Sequence, residues 1–302
     1  MEKKVRVYDT TISQVVKHFE SPLNEKAFAE AISLLATVGI DTVEVFGAPD
    51  CPKLSTFRWA YPCELALRTP SVEDAIRAVG ETARTVSHAV MTVQFSADEK
   101  CWKRRFGIAS RADAIRSIRR NLSLARNYVE TVQFSIASRQ DSDPIFVRQC
   151  SETGLEAGAR RISLVDVSDE NSDGTHFLNV LQEVRRFLGQ DVFIGVASPS
   201  AHTTTQAIQC NIHQIESNVW RHNEQRTSAE LTEVVKHLPE KSCGRIPFDI
   251  AKIHSLQTEL LRVLSPFNTK MMPYATGTDG NENVFRRLFA PCASELHEIR
   301  LL

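Results

Sequence analysis

Polar residues stand at or just past the ends of several β-branched runs, where parallel strands would gather them at one mouth. Asp9, Thr10 and Thr11 follow residues 5–8, Glu44 lies within 42–46, and Arg68 follows 63–67. Arg139 comes after 131–135, Asp166 follows 161–165, and His202 comes after 192–196. Such a set of carboxylates, guanidinium groups and one imidazole is enough to bind a small polar molecule. His202 beside Asp166 or Glu44 would be an acid–base pair. Glu44, Arg68 and Asp166 could instead form a buried ion-pair network, and Asp9 and Thr11 could satisfy backbone donors around a rim. Cys210, His213 and His222 come closest to a metal cluster, but their spacing reads as core or surface residues and not as a zinc site. The 7 cysteines form no CxxC pair and read as reduced thiols.

The elements that must position these groups follow from periodicity. Short β-branched runs alternate with amphipathic helical stretches from the first residues onward, the pattern of βα units around a parallel sheet. Strands are expected at 5–8, 42–46, 63–67, 90–95, 131–135, 161–165, 192–196 and 214–219. Helices are expected from Asn24 as cap to Gly39, over 71–83 and 111–128, from Asp143 and Pro144 to near Gly158, from Thr175 to Gly189, and over 228–238 and 250–264. Eight such units predict an α/β fold, a (β/α)8 TIM barrel over residues 1–246 with a short helical extension over 247–302. An open doubly wound sheet is the competing arrangement, but no glycine-rich phosphate loop follows the first strand. Two connections look thin: 47–62, with three prolines, and the threonine-rich 198–212, where an outer helix is expected to be shortened or replaced by loop.

Charge narrows the partners. With 36 basic against 37 acidic residues the net charge is -1, which gives no field to hold nucleic acid or an anionic membrane. The chain carries no apolar run of spanning length and no signal-peptide pattern, so a soluble, cytoplasmic protein is expected.

Several motifs resemble one known group in order and spacing. "VYDTT" followed by a helix and "GIDTVEVFGAP", then "YVETVQFSIASRQDSDPIFV", "EAGARRISLVDVSDENS", "VFIGVASPSA", "NEQRTSAELTEVV" and "GNENVF" are similar to segments of the 2-isopropylmalate synthase and homocitrate synthase family. That family belongs with the metal-dependent barrels that include hydroxymethylglutaryl-CoA lyase. The resemblance implies a divalent metal held by one Asp, two His and one Asn, an adjacent Arg, and Claisen condensation of an acyl-CoA with a 2-oxo acid.

The matching positions depart from that pattern. Ser13 stands for the arginine and Gln14 for the metal-binding aspartate, Ala197 and Pro199 for the two histidines, and Ser228 for the asparagine. Ala137 replaces a carboxylate, Val167 a threonine and Arg287 a linker histidine. Shifting the seventh strand by three residues would put Ser200 and His202 at the histidine positions, restoring one ligand. Asp9, Thr10, Thr11, Glu44, Arg68, Ser135, Asp143, Asp166 and Glu224 are retained, Asp143 most simply as a helix cap.

The resemblance therefore implies a homologue without metal or cofactor, a repurposed enzyme or pseudoenzyme. Its partner would be a small polar molecule, a 2-oxo acid or acyl-CoA, with Asp9, Thr11, Glu44, Arg68, Ser135, Arg139 and Glu224 lining the mouth and His202 and Asp166 as acid–base residues. The alternative is an active condensing enzyme whose site is built from other residues. The extension is too short for a regulatory domain, so amino-acid feedback is not expected. The apolar faces of 250–264 and 285–288 would pair two copies as a homodimer or pack back on the barrel.

Overall fold

Alternation within each strand determines what the barrel wall separates. The computed structural model describes residues 3–15, 24–46, 62–168, 172–219, 228–238, 244–246 and 248–265. Eight parallel strands close into a barrel: β2 (Arg6–Asp9), β3 (Thr42–Phe46), β4 (Glu64–Pro70), β5 (Ala89–Ser96), β6 (Thr131–Ser138), β7 (Arg161–Asp166), β8 (Ile194–Ala197) and β9 (Gln214–Ser217). β9 pairs back onto β2, with Glu216 opposite Tyr8. Two short strands, β1 (Lys3–Lys4) and β10 (Gly244–Arg245), pair at the N-terminal end. The predicted TIM barrel is the observed fold.

Helices follow the strands: α1 (Thr11–Val15), α2 (Glu25–Val38), α3 (Glu73–Ala83), α4 (Glu99–Phe106), α5 (Arg111–Ala125), α6 (Pro144–Glu156), α7 (Thr175–Leu188), α8 (Ala201–Gln209), α9 (Leu231–His237) and α10 (Ile250–Leu264). Local chemistry sets their ends. The Asn24 side chain accepts from the Ala27 amide at 2.9 Å, and Gly39 terminates α2 at φ 100°, a conformation that suits glycine. Asp143 caps α6 by accepting from the Ile145 amide at 2.9 Å, and Pro144 occupies the first turn, where its missing N–H costs nothing.

Four sequence expectations need correction. β4 runs on to Pro70, so α3 starts at Glu73 instead of Ser71. The cap of α7 is Gly174, with Thr175 its first helical residue. The threonine-rich segment takes the shortened-helix form, one of its two expected states: Ser200 accepts from the Thr203 amide at 3.2 Å and starts the nine-residue α8. β8 begins at Ile194, two residues later than expected. α4 was not expected at all, because "EKCWKRRF" has no apolar period. The connection at 47–61 and the "GNENVF" segment with Arg287 lie outside the described residues.

The main apolar core lies between barrel and helices. Val7, Val43, Val45, Leu65, Leu67, Met91, Val93, Val132, Phe134, Ile162, Leu164, Val196 and Ile215 belong to one buried cluster with helix residues such as Phe28, Ile32, Ile118, Phe146 and Leu181. Strand side chains alternate, so their neighbours face the barrel interior. That interior set is polar: Arg6, Tyr8, Thr42, Glu44, Glu64, Arg68, Thr92, Gln133, Ser135, Arg161, Ser163, Gln214 and Glu216. Barrel interiors are usually filled by branched apolar layers. Here two small apolar groups sit apart from the main core, Tyr8–Ala66–Val90 and Ala137–Val165–Ala197.

α10 packs on α2 and α9, burying Ile253, Leu256, Leu260, Val263 and Leu264, and Arg262 bonds Glu30 of α2 at 2.5 Å. Its apolar face is covered by this chain, which removes the support it gave to a homodimer. Residues 285–288 lie outside the described residues.

Candidate functional site

Two ionic layers cross the barrel. At the N-terminal end Glu64 accepts from Arg6 at 2.7 Å and from both terminal nitrogens of Arg161 at 2.7 and 2.6 Å. Toward the mouth Glu44 accepts from Tyr8 Oη at 2.6 Å, Ser13 Oγ at 2.5 Å and Arg68 Nε at 2.7 Å. Arg68 Nη2 reaches Glu216 at 3.4 Å, and Glu216 also accepts from Gln133 at 3.0 Å and from Ser163.

The expected Glu44–Arg68 pair is present. The third charged member is Glu216, not Asp166. The β-branched pattern of 214–219 marks a strand, and only the alternation along it singles out Glu216 as inward-facing. Asp166 follows the inward-facing Val165 and so turns to the rim, where it accepts from Ser198 Oγ and the Ser168 amide, each at 3.0 Å. Asp9 follows Tyr8 in the same way. It accepts from the Thr11 amide at 3.0 Å, Thr11 Oγ1 at 2.9 Å and the Val219 amide at 3.2 Å, the rim role expected for Asp9 and Thr11.

His202 makes no ion pair with either of its expected acidic partners, Asp166 and Glu44. It lies in the first turn of α8, exposed, and its side chain makes no hydrogen bond or ion pair among the described residues. Both positions of the alternative seventh-strand register lie past β8, Ser200 as the cap of α8 and His202 in its first turn. Arg139 sits in the loop after β6, 3.8 Å from Asp98 and 3.7 Å from Asp141. The Ser135 hydroxyl is buried with no partner among the described residues. Glu224 and His222 lie outside the described residues.

The positions that would hold a metal in the resembling family are engaged elsewhere. Gln14 Nε2 donates to Thr10 Oγ1 at 2.9 Å and to Ser228 Oγ at 3.3 Å, so the side chains at the aspartate and asparagine positions bond each other. Thr10 Oγ1 and Ser228 Oγ are 3.1 Å apart, and Asn218 Nδ2 donates to Ser228 Oγ at 3.2 Å. Ala197 packs with Ala137 and Val165, and Val167 lies against them. An amide aimed at two hydroxyls and a methyl in an apolar cluster do not fit a divalent ion. No group of three or more His, Cys, Asp or Glu suited to a metal occurs among the described residues.

Burial sets the titration of this region. It raises the Asp9 carboxyl to about 7, against the hydrogen bonds from Thr11 and Val219 that lower it. It also raises Glu216 to about 7, with Arg68 opposing and Glu44 adding to the rise. The Tyr8 phenol is pushed well up by burial and then by Glu44 and Glu216. Burial opposes the charge on Arg68, and Glu44, Tyr8 and Glu216 outweigh it, so the guanidinium stays protonated.

A stability profile follows with a definite sign. Unfolded Asp and Glu lose their protons near pH 4, whereas folded Asp9 and Glu216 keep theirs to about 7. The folded state binds more protons across that window, so these two groups make stability fall as pH rises from about 4 to 7 and level off above it. Urea denaturation at pH 5.5 and 8 checks this: a lower midpoint at pH 8 in the parent, with the difference reduced in Glu216→Gln, is expected.

Comparison with known proteins begins from a partial sequence match. A 2-isopropylmalate synthase of Listeria monocytogenes serotype 4a (strain HCC23) is 35% identical over 81 residues, which span 27% of this chain and 16% of that protein. The chain matches no established protein-family model. The HMG-CoA lyase of Brucella melitensis superimposes with a TM-score of 0.68, covering 86% of this chain and 99% of its own at 13% identity.

The fold is a TIM barrel similar to that of HMG-CoA lyases.

An HMG-CoA lyase of Acinetobacter baumannii in complex with coenzyme A and 3-methylmalate gives 0.59, covering 90% of this chain and 98% of its own at 10% identity. The carboxyl transferase domain of Rhizobium etli pyruvate carboxylase gives 0.65 over 91% of this chain and 50% of that chain at 14% identity. The HMG-CoA lyase-like barrel places the C-terminal strand ends, and with them Arg68, Glu216 and Gln14, at the end where barrel enzymes build their sites. No helix among the described residues is long and apolar enough to cross a membrane.

Proposed function

We propose that this chain is a divergent homologue of the 2-isopropylmalate and homocitrate synthases that has lost the metal and the catalytic arginine. On this reading it binds a small polar, 2-oxo-acid-like ligand in the cytoplasm, as a metal-independent enzyme or a pseudoenzyme. The observation that carries it is the direct bond between Gln14 and Ser228 at 3.3 Å, with Thr10 bonded to both. These groups satisfy each other, where the resembling family would leave oxygen and nitrogen donors turned toward an ion. Ser13 supports the reading from the other side. Its hydroxyl bonds Glu44 and the Thr10 carbonyl, so a short neutral group fills the place of a cation that would stabilise an oxyanion.

Without metal and arginine, enolate and alkoxide charge would lack stabilisation worth several kcal/mol. The alternative, an active acyl-CoA condensing enzyme, draws on the complex of the Acinetobacter lyase with coenzyme A and 3-methylmalate. Release of free thiol from acetyl-CoA separates the two. With pyruvate, 3-methyl-2-oxobutanoate or 2-oxoglutarate and added magnesium or manganese, release at the rate of the protein-free blank is expected. Release that depends on both the metal and the oxo acid would select the condensing enzyme.

A further inference from the structure

The inward faces of β4 and β6 carry an unused Arg68 donor, an unpartnered hydroxyl and a small apolar wall. Nε is taken by Glu44 at 2.7 Å and Nη2 by Glu216 at 3.4 Å, while Nη1 has no partner among the described residues. Ser135 shares a rung with Ser163, whose hydroxyl bonds Glu216, and its own buried hydroxyl has no partner among the described residues. Two residues along the same face of β6, Ala137 joins Val165 and Ala197, with Val167 against them. The resembling family would have a carboxylate, a threonine and a histidine at three of those four positions.

Resting on the reading above, we infer that the mouth takes a small monocarboxylate with a hydrocarbon arm, its carboxylate on Arg68 and its arm on the Ala137–Val165–Ala197 wall, and that binding draws one proton from solvent onto Glu216.

The charge balance requires such a step. The charged and titratable groups facing Glu216 are Arg68 on β4, Glu44 on β3 and Tyr8 on β2; Gln133 on β6, Ser163 on β7 and Gln214 on its own strand are neutral. With both carboxylates ionised around one guanidinium the layer is formally -1, and a ligand carboxylate would make it -2 in a buried region. One proton restores the balance. Glu44 holds its three donors at 2.5 to 2.7 Å, whereas Glu216 has the longer bond to Arg68 and is already raised by burial to about 7. A proton on Glu216 Oε2 removes the acceptor of Arg68 Nη2. Nη1 and Nη2 then form a free edge that matches a carboxylate in two parallel bonds. No metal is present in this scheme to chelate a 2-oxo group, so the keto oxygen adds little to affinity.

The test is calorimetric titration of the full chain with 3-methylbutanoate at pH 7.5, in phosphate and in Tris, whose different ionisation enthalpies report protons taken up. Saturable binding with uptake of about three-quarters of a proton is expected, with affinity falling by nearly tenfold per pH unit above about 8. Acetate, which lacks the arm, should bind more weakly, and 3-methyl-2-oxobutanoate within a few-fold of 3-methylbutanoate. In Glu216→Gln both the uptake and the pH dependence should vanish while binding persists. Should that variant not fold, the two-buffer comparison on the parent decides alone. Binding of 3-methylbutanoate without proton uptake overturns the inference, as does tighter binding of 3-methylbutylamine. Binding of the 2-oxo acid alone also overturns it but leaves the proposed function standing. Binding of no carboxylate overturns both.

Discussion

Arg68→Ala will lower folding stability by about 3–5 kcal/mol at pH 8, because it leaves two buried carboxylates without their shared cation. Glu44 and Glu216 are 0% and 1% exposed, and Arg68 is the only cation that either one touches among the described residues. The loss should shrink toward pH 5.5, since Glu216 is already raised to about 7 and without Arg68 would take a proton more readily. Urea denaturation at the two pH values measures both effects. A loss below about 1 kcal/mol at pH 8 is the range of an exposed pair, and would mean that water reaches these carboxylates through the mouth.

A second large effect is a gain. Gln14→Asp, Ala197→His, Pro199→His and Ser228→Asn together should create a divalent-ion site and strengthen manganese or zinc binding by about 100-fold or more over the parent. Gln14 follows β2, and Ala197 and Pro199 lie at the end of β8 and just after it, so the barrel brings the new donors to its C-terminal end. Gln14→Asp and Ser228→Asn also break the bonds that now hold the two positions together. Calorimetry on the variant, after circular dichroism has confirmed its fold, gives the answer. A folded variant that still binds no metal would show that the seventh-strand register behind Ala197 and Pro199 is wrong.

What the sequence made legible was the part set by short-range rules. The β-branched runs gave the eight strands, and Asn24, Gly39, Asp143 and Pro144 marked helix ends because their chemistry is local. α4 escaped because most of Glu99–Phe106 is charged, with Trp102 a large buried anchor among the described side chains. β8 was placed early because Val192 and Phe193 look like strand, although Phe193 instead stacks on His213 at 5.1 Å.

The site divides along similar lines. Glu44 and Arg68 were found as polar residues at strand ends. Glu216 needed one further step, counting alternation along Gln214–Ser217, which places Gln214 and Glu216 inward as Glu44 is between Val43 and Val45. The same count turns Asp9 and Asp166 to the rim. His202 falls in the first turn of α8 because Ser200 caps that helix. The Gln14–Ser228 bond joins positions 214 residues apart and could come only from the closed barrel.

The central claim is that the metal position has been closed by bonds within the protein. Titration of the purified parent chain with magnesium, manganese and zinc tests it most directly, together with measurement of the metal it carries from expression. The account predicts less than stoichiometric metal as purified and no site tighter than about 1 mM for any of the three ions. One ion per chain, bound at micromolar concentration and lost on Gln14→Ala, would contradict it.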